Sequence, residues 1–221
     1  MVVINNETLY KDKLDRLWDS IQNSYKEMKE RGYAIEREVI KESILFISMN
    51  PSFSKDAWNN GNSNGSIFYD IPNDPKKETN PFFVAINAFY GELAVPKPPL
   101  AHHDLLFIRE TNQKSVLSCR KDSQLNGFYN GQLDISKEII INSKPVLIVV
   151  LNAGARKLFE QLFKDSQCEP PYNEDLGAYI YRIGKNETPV LFSGMLSGQR
   201  ALDLGSKRSL KWHIEYILKH L

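Results

Sequence analysis

Polar residues with turn-forming neighbours follow three apolar segments of this chain. Ser48-Met49-Asn50-Pro51-Ser52 follows the first segment, Arg109 to Lys114 follows the second, and Ser193 to Arg200 follows the third. The side-chain amide of Asn50 can orient a water molecule by hydrogen bonding, although an amide is too weak a base to abstract its proton. Ligands of open parallel sheets bind outside the carboxyl ends of the strands. We therefore expect a functional site at these three stretches, with well-capped turns as the alternative interpretation.

The elements that would position these residues are strands alternating with helices. Short apolar runs predict buried strands at 43–49 and 146–151, and further strands are expected at 104–109, 178–183 and 190–193. Apolar residues at helical spacing predict helices at 9–31, 81–90, 133–141, 155–163 and 210–221. Gly32 should end the first helix, and Asn80-Pro81 is a favoured helix start. The pattern predicts an α/β fold: a three-layer α/β/α sandwich with a short, mainly parallel central sheet.

Length and composition indicate one globular domain over residues 1–221. The 28 Lys and Arg residues nearly balance 27 Asp and Glu residues, so a nucleic acid or membrane would have to bind a local patch. The amino terminus has no pattern typical of a signal peptide, and the longest apolar run, 146–151, is too short to span a bilayer, so we expect a cytoplasmic protein without membrane association. Cys119 and Cys168 form no CxxC motif, and His102, His103 and His213 have no ligand at metal-site spacing. We predict no metal site and no cofactor.

The order of several motifs resembles the uracil-DNA glycosylase superfamily, and in pattern it is closest to the mismatch-specific G:T/U branch. The strand ending in Ser48-Met49-Asn50-Pro51-Ser52 is similar to the first motif of that branch, Gly-Ile-Asn-Pro-Gly. Phe68-Tyr69-Asp70-Ile71-Pro72 then precedes Asn80-Pro81-Phe82-Phe83, and Ile108-Arg109-Glu110-Thr111 resembles an Asp-Arg-Pro-Thr turn. The strand–helix unit at 145–163 and the closing strand, loop and helix follow in the family's order. The resemblance covers residues 43–221, and residues 1–40 form a helical extension outside it.

This resemblance implies base excision in DNA repair: hydrolysis of the N-glycosidic bond of uracil or a related damaged base. The base must first leave the duplex, and an aromatic side chain then stacks on it; Phe68 or Tyr69 is the candidate, with Phe53 as a competitor. Asn50 would orient water or the base, and electrostatic stabilisation of the departing base would drive the reaction. Ser197-Gly198 corresponds to the Ser-Gly of the mismatch-specific branch, which makes Ser197 a second catalytic candidate. The implied substrate-binding residues are Ser48, Met49, Pro51, Ser52, Phe53, Phe68, Tyr69, Asn80 and Arg109.

The last loop departs from the family pattern. Active members carry His-Pro-Ser or Asn-Pro-Ser there, whereas Met195 and Leu196 stand at those positions in this chain. This pair would either wedge between base steps or pack in the core. Gln199 and Arg200 would contact DNA or lie in solvent, and Lys207 and Arg208 would hold a phosphate at a helix start or be simply exposed. The predicted DNA-binding residues are Met195, Leu196, Gly198, Gln199, Arg200, Lys207 and Arg208.

Because the last loop lacks the family's His or Asn, two other functions stay open. One is a non-catalytic nucleic-acid-binding protein on the same fold, which would bind DNA or RNA in a salt-sensitive manner. The other is a hydrolase or transferase acting on free nucleosides or nucleotides, which would need the pocket but no DNA groove.

Overall fold

The computed structural model describes residues 2–53, 65–71, 80–164, 169–198 and 200–221. The strands are β1 (Val3–Asn5), β2 (Ala34–Glu36), β3 (Glu38–Ile40), β4 (Ile44–Ser48), β5 (Ile67–Tyr69), β6 (Leu100–Asp104), β7 (Leu147–Leu151), β8 (Tyr172–Asn173), β9 (Ala178–Ile183) and β10 (Asn186–Ser193). The helices are α1 (Asn6–Asp19), α2 (Lys26–Arg31), α3 (Pro81–Gly91), α4 (Gln113–Cys119), α5 (Asn126–Ser143), α6 (Ala153–Phe163) and α7 (Leu204–His220).

A six-stranded mixed sheet, with the order β6-β4-β7-β10-β9-β8, forms the centre of the fold. β6, β4, β7 and β10 run parallel, whereas β9 and β8 pair antiparallel at one edge. The prediction of an α/β fold with a mainly parallel sheet is therefore confirmed. β6 and β7 flank β4, so the chain changes direction across the sheet beside β4. Such a switch point leaves a crevice outside the carboxyl ends of the strands.

Helices cover both faces of this sheet because consecutive side chains of a strand point to opposite sides. Leu45 and Ile47 of β4 pack into a core cluster with residues of α1, α5 and α6. Ile44 and Phe46 pack on the other face, in a second cluster with residues of α3 and α7. β4 and β7 are buried along their whole length, which explains their nearly unbroken apolar sequences.

The amino-terminal forty residues contribute to the first of these clusters. Tyr10, Leu14 and Trp18 of α1 are buried, and the Trp18 ring lies 4.7 Å from the ring of Phe128 on α5. β1 pairs with β3, and β2 pairs with β5, as two small sheets outside the central one. The segment thus packs directly on the helices of the main sheet.

The prediction of one helix at 9–31 is wrong in its middle. α1 ends at Asp19, a 3₁₀ turn follows at Asn23–Tyr25, and α2 then runs to Arg31. Ile21 is buried at this break. The Ser20 hydroxyl caps the carboxyl end of α1 by donating to the Leu17 carbonyl at 2.6 Å. Gly32 ends α2 as expected: its φ is 67°, and a Cβ there would lie 2.4 Å from the Gly65 carbonyl carbon.

The prediction of a strand at 104–109 is also wrong, because the strand occupies residues 100–104. The apolar residues that follow, Leu105 to Ile108, are buried but leave the central sheet. The backbone of Phe107 bonds to groups outside the central sheet. Its N–H donates to Gln132 Oε1 on α5 at 2.8 Å, and its carbonyl accepts from the Ala34 N–H of β2. The strands expected at 43–49, 146–151, 178–183 and 190–193 are confirmed.

The helices of the described ranges include none long and apolar enough to cross a membrane. Cys119 is a buried free thiol. Cys168, Gln199, Pro72 and the stretches 54–64 and 73–79 lie outside the described residues.

Candidate functional site

A group of buried polar side chains lies at the carboxyl ends of β4 and β6. Ser48 ends β4, Asp104 ends β6, and the two residues are direct neighbours in the parallel register. The Ser48 hydroxyl donates to the Asp104 carboxylate, and His102 Nε2 lies 2.8 Å from Ser48 Oγ. We call Ser48, His102 and Asp104, together with Tyr69 and Glu36, the Ser48 cluster.

Burial sets the protonation states of the two titratable groups beside Ser48. Loss of solvation raises the pKa of Asp104 to about 7, although hydrogen bonds from Ser48 and Tyr69 oppose the shift. Burial lowers the pKa of His102 to about 3, and the charge of His103 adds to this effect. At neutral pH, His102 is therefore uncharged, and Asp104 can both hold and accept a proton, as a general acid or base must.

The order of hydrogen bonds distinguishes this group from a serine-hydrolase triad. In such a triad, histidine lies between serine and aspartate and takes the serine proton. Here Ser48 lies in the middle: when Asp104 is ionised, its carboxylate accepts the Ser48 hydroxyl proton, and His102 Nε2 then donates to Ser48 Oγ. His102 Nδ1 has no hydrogen-bond partner among the described residues. With a pKa near 3, His102 is too weak a base to activate Ser48, and the geometry does not favour nucleophilic attack by serine.

Aromatic side chains cover the Ser48 cluster. The Tyr69 hydroxyl donates to Glu36 Oε2 at 3.4 Å, and the Tyr69 ring lies 5.7 Å from that of Phe83. The rings of Phe82 and Phe83 meet His102 edge-to-face at 5.1 and 5.2 Å. Burial first, and the nearby Asp104 and Glu36 carboxylates next, raise the pKa of Tyr69 well above its usual value, so the phenol stays a hydrogen-bond donor.

Asn80 positions these rings by starting α3. Its side-chain oxygen accepts a hydrogen bond from the Phe82 N–H at 3.0 Å, and Pro81 occupies the first turn. This is the helix start predicted from the sequence, and it fixes where Phe82 and Phe83 leave the helix. Asn80 thereby positions two of the aromatic side chains that cover the Ser48 cluster.

A further layer of polar contacts connects the Ser48 cluster to the amino-terminal segment. Glu36 accepts hydrogen bonds from His103 Nδ1 and, at 3.4 Å, from Asn6 Nδ2. His103 Nε2 lies 3.1 Å from the Ser136 hydroxyl on α5. Glu36 and His103 are almost completely buried. Because buried polar groups need partners, this network fixes the position of the edge strand β6 and of Tyr69 above it.

Asn50, the predicted catalytic residue, connects two loops. Its Nδ2 donates to the carbonyl oxygens of Pro51, Ile108 and Glu110, at 2.9, 3.1 and 2.6 Å. These bonds fix the plane of the half-buried amide and therefore the direction of Oδ1. Met49 is buried beneath α6, where its Sδ would lie 2.7 Å from a Cβ placed on Gly154, and Ser52 is exposed.

The other aromatic candidates lie away from the Ser48 cluster. Phe53 is buried, with the guanidinium carbons of Arg31 and Arg109 at 4.3 and 5.6 Å from its ring centre. Arg109 Nη1 donates to the carbonyls of Arg31 and Gly65 at 3.0 and 2.9 Å, which connects loops. Phe68 is half-buried, with its ring 5.6 Å from that of Tyr33. Of Phe53, Phe68 and Tyr69, only Tyr69 belongs to the Ser48 cluster.

Asn152, which the sequence reasoning missed, lies at the switch point on the other side of β4. It follows β7 directly and has φ 73° and ψ 157°, a backbone region that is essentially restricted to glycine. Its Oδ1 caps α6 by accepting from the Ala155 N–H at 2.8 Å, and its Nδ2 donates to the Met195 sulfur at 3.4 Å. A thioether is a weak acceptor, so a ligand oxygen can replace it. The sequence did carry a signal for this residue: an asparagine stands between the apolar run 146–151 and the predicted helix, which is a favoured N-cap position.

The described residues of the loop from Ser193 to Arg200 range from buried to exposed. Leu196 is 1% exposed and packs with residues of α3 and α7, which matches the packing alternative rather than an exposed wedge. Met195 is half-buried, and its carbonyl accepts from the Leu202 N–H at 2.8 Å. Ser197 is half-buried, whereas Gly198 and Arg200 are exposed.

The start of α7 already carries an anionic cap. Asp203 accepts from the Ser206 N–H at 3.0 Å and from the Ser206 hydroxyl at 2.6 Å. Its carboxylate occupies the position at which a phosphate would bind the free N–H groups. Lys207 is half-buried and Arg208 is exposed in the first turns of the helix.

Comparison with models of known protein families gave no match, and no curated protein matches the chain significantly. In the described ranges, no group of three or more His, Cys, Asp and Glu side chains is arranged to hold a metal ion.

Proposed function

We propose that this protein hydrolyses the N-glycosidic bond of uracil or a related damaged base in DNA, on a sandwich of the uracil-DNA glycosylase type. The observation that carries the proposal is the buried Asp104, with its pKa near 7, beneath the aromatic side chain of Tyr69 at the carboxyl end of the parallel sheet. The ordered motifs of the sequence support the same activity.

Recognition would depend on stacking and on amide hydrogen bonds. Extrusion of a base costs about a few kcal/mol, and stacking on an aromatic face returns roughly 1–3 kcal/mol. Tyr69 and Phe83 supply the aromatic faces. Asp104 and Asn152 stand at the ends of strands on either side of β4, so their backbones are about 10 Å apart, two strand spacings. The base and its sugar would occupy this gap, with the Asn152 amide donating to a base carbonyl.

Asp104 would act on the water molecule that replaces the base. Oxygen of this water adds to the sugar C1′, and the Asp104 carboxylate takes its proton. The C1′–N bond breaks, and its electron pair leaves with the base, whose negative charge the Asn152 amide stabilises. Oδ1 of Asn50, fixed by its backbone bonds, orients the water.

The test is base release by the full-length protein. Oligonucleotides containing uracil, hypoxanthine or an alkylated base, single- and double-stranded, are incubated with protein and then treated with alkali to cleave abasic sites. We expect strand cleavage with at least one substrate and a loss of about a hundredfold or more in Asp104→Asn. Asp12→Asn, the same chemical change at an exposed position on α1, is the matched control and should keep the natural rate. Absence of release from every substrate, or equal rates in Asp104→Asn, contradicts the proposal.

One observation favours a second candidate, a non-catalytic nucleic-acid-binding protein. The Ser193–Arg200 loop lacks the family's His or Asn, and Leu196 is buried instead of exposed. Oligonucleotide binding without base release in the same assay would support this candidate. Release from free nucleosides, without oligonucleotide binding, would instead support an enzyme of nucleoside metabolism.

A further inference from the structure

The outer face of α7 carries a row of aromatic and basic side chains. The inner face packs in the core through Leu210, Ile214 and Ile217. On the outer side, side chains four residues apart lie above one another along the helix. This row, which we call the α7 ladder, consists of Arg208, Trp212, Tyr216 and His220.

The rings of the α7 ladder contact one another along the helix; those of Trp212 and His220 are exposed, and that of Tyr216 is half-buried. Trp212 is 64% exposed, although a tryptophan leaves a large apolar surface in water. Its ring stacks on that of Tyr216, with centres 5.4 Å apart and planes 23° from parallel. The Tyr216 ring lies 4.2 Å from that of His220, whose Nδ1 donates to the Tyr216 carbonyl at 2.7 Å. The stacked and tilted rings therefore form a continuous aromatic surface along the helix.

An open groove lies at the amino-terminal end of the α7 ladder. It has a volume of about 480 Å³ and is lined by Arg208, Ser209, Trp212 and His213. His213 is held in place because its Nε2 donates to the Leu176 carbonyl at 2.8 Å. A planar ring entering this groove would meet the face of Trp212 beside the Arg208 guanidinium.

Basic residues outnumber acidic ones on α7 even when its N-cap, Asp203, is included. Lys207, Lys211 and Lys219 accompany Arg208 on this helix. The acidic residue of the helix, Glu215, accepts a hydrogen bond from the Ala94 N–H at 2.7 Å and faces that loop. This local positive surface contrasts with the net charge of +1 for the whole chain.

We propose that the α7 ladder binds single-stranded nucleic acid. A base stacks on Trp212 in the groove, while Arg208 and the neighbouring lysines contact the phosphates, the combination by which proteins hold single strands without reading sequence. From Arg208 to His220 the helix rises about 18 Å, enough for more than one nucleotide. This binding is independent of the proposed hydrolysis, because it uses none of the Ser48 cluster.

Fluorescence anisotropy with a labelled oligothymidylate of about 15 nucleotides tests the proposal, since this probe contains no damaged base. We expect Trp212→Ala and Arg208→Ala each to weaken binding about tenfold, and Trp212→Phe to bind nearly as the natural chain does. Lys26→Ala removes another exposed cation, on α2, and should leave the affinity unchanged. Affinity should also fall as salt rises.

Three results would overturn the proposal: no binding by the natural chain, equal affinity of Trp212→Ala, or an equal loss in Lys26→Ala. Self-association that disappears in Trp212→Ala, measured by sedimentation, would assign the ladder to a second copy of the chain instead. Asp104→Asn should bind the probe normally, so failure of the hydrolysis proposal and failure of this one are distinguishable.

Discussion

The Ser48 hydroxyl donates a hydrogen bond to the Asp104 carboxylate across the carboxyl ends of two neighbouring parallel strands. This bond stabilises the ionised carboxylate but does not compensate for its burial, since the adjacent His102 is uncharged at neutral pH. The result is a carboxyl group that titrates near pH 7 instead of near 3.8. The chain keeps a costly buried titratable group at the carboxyl ends of two parallel strands, and such strongly shifted pKa values are typical of functional sites.

Asp104→Asn should remove a specific pH dependence of stability. The folded protein holds the Asp104 proton up to about pH 7, whereas the unfolded chain releases it near pH 3.8. The contribution of Asp104 to the free energy of unfolding therefore falls as the pH rises from about 4 to about 7 and is constant above that range. The difference between the natural chain and Asp104→Asn should change by about 4 kcal/mol over this window, measured by urea unfolding at several pH values.

His102 contributes a pH dependence of stability that has the opposite sign to that of Asp104. A histidine with a lowered pKa makes stability fall as the pH drops from 6.5 towards about 3. The two contributions partly cancel in the natural chain, so only the comparison with Asp104→Asn isolates the carboxyl group. A pH-independent difference would show that Asp104 has an ordinary pKa.

Asn152→Gly should be more stable than Asn152→Ala. The backbone at Asn152, with φ 73° and ψ 157°, is accessible to glycine but strains alanine by about 1–3 kcal/mol. Glycine is also the better substitute at a helix N-cap. Urea unfolding at neutral pH would measure the order. Equal stability of the two variants would mean that the backbone relaxes and that Asn152 stores no strain. If the strain serves ligand binding, Asn152→Gly should keep the fold and lose base release.

Asn50→Asp should destabilise the fold more than Asn50→Ala. The Asn50 amide donates to three carbonyl oxygens, and a carboxylate at the same place would face them without a proton. We expect a loss of about 1–3 kcal/mol for alanine and a larger loss for aspartate at neutral pH. The deficit of Asn50→Asp should shrink below about pH 4, where the carboxyl group can donate. A stable Asn50→Asp at neutral pH would show that the loop contacts are dispensable.

The sequence predictions were correct where a pattern of a few consecutive residues decides the structure, and wrong where distant residues decide it. The strand at 146–151 and the helix start at Asn80-Pro81 were predicted correctly because apolar periodicity and capping are properties of a few consecutive residues. The strand at β6 was misplaced because His102 and His103 interrupt its apolar pattern, while Leu105 to Ile108 are buried without belonging to the sheet. The helix at 9–31 was predicted without its break because Ile21 fits the helical spacing of apolar residues, although it lies in the turn between α1 and α2.

The sequence by itself determined the α/β alternation, the parallel strands and the polar turn after β4, since each depends on residue types within a short window. Only the tertiary structure decided which polar side chains meet. Ser48 and Asp104 are 56 residues apart, and Glu36 and His103 are 67 apart, so their contacts depend on strand order and register. The pKa of Asp104 likewise depends on burial by distant segments. From the sequence alone Asn50 was the main catalytic candidate and Asp104 was not identified. The pKa of a carboxyl group, which decides whether it can act as a base, depends on its surroundings in the folded protein.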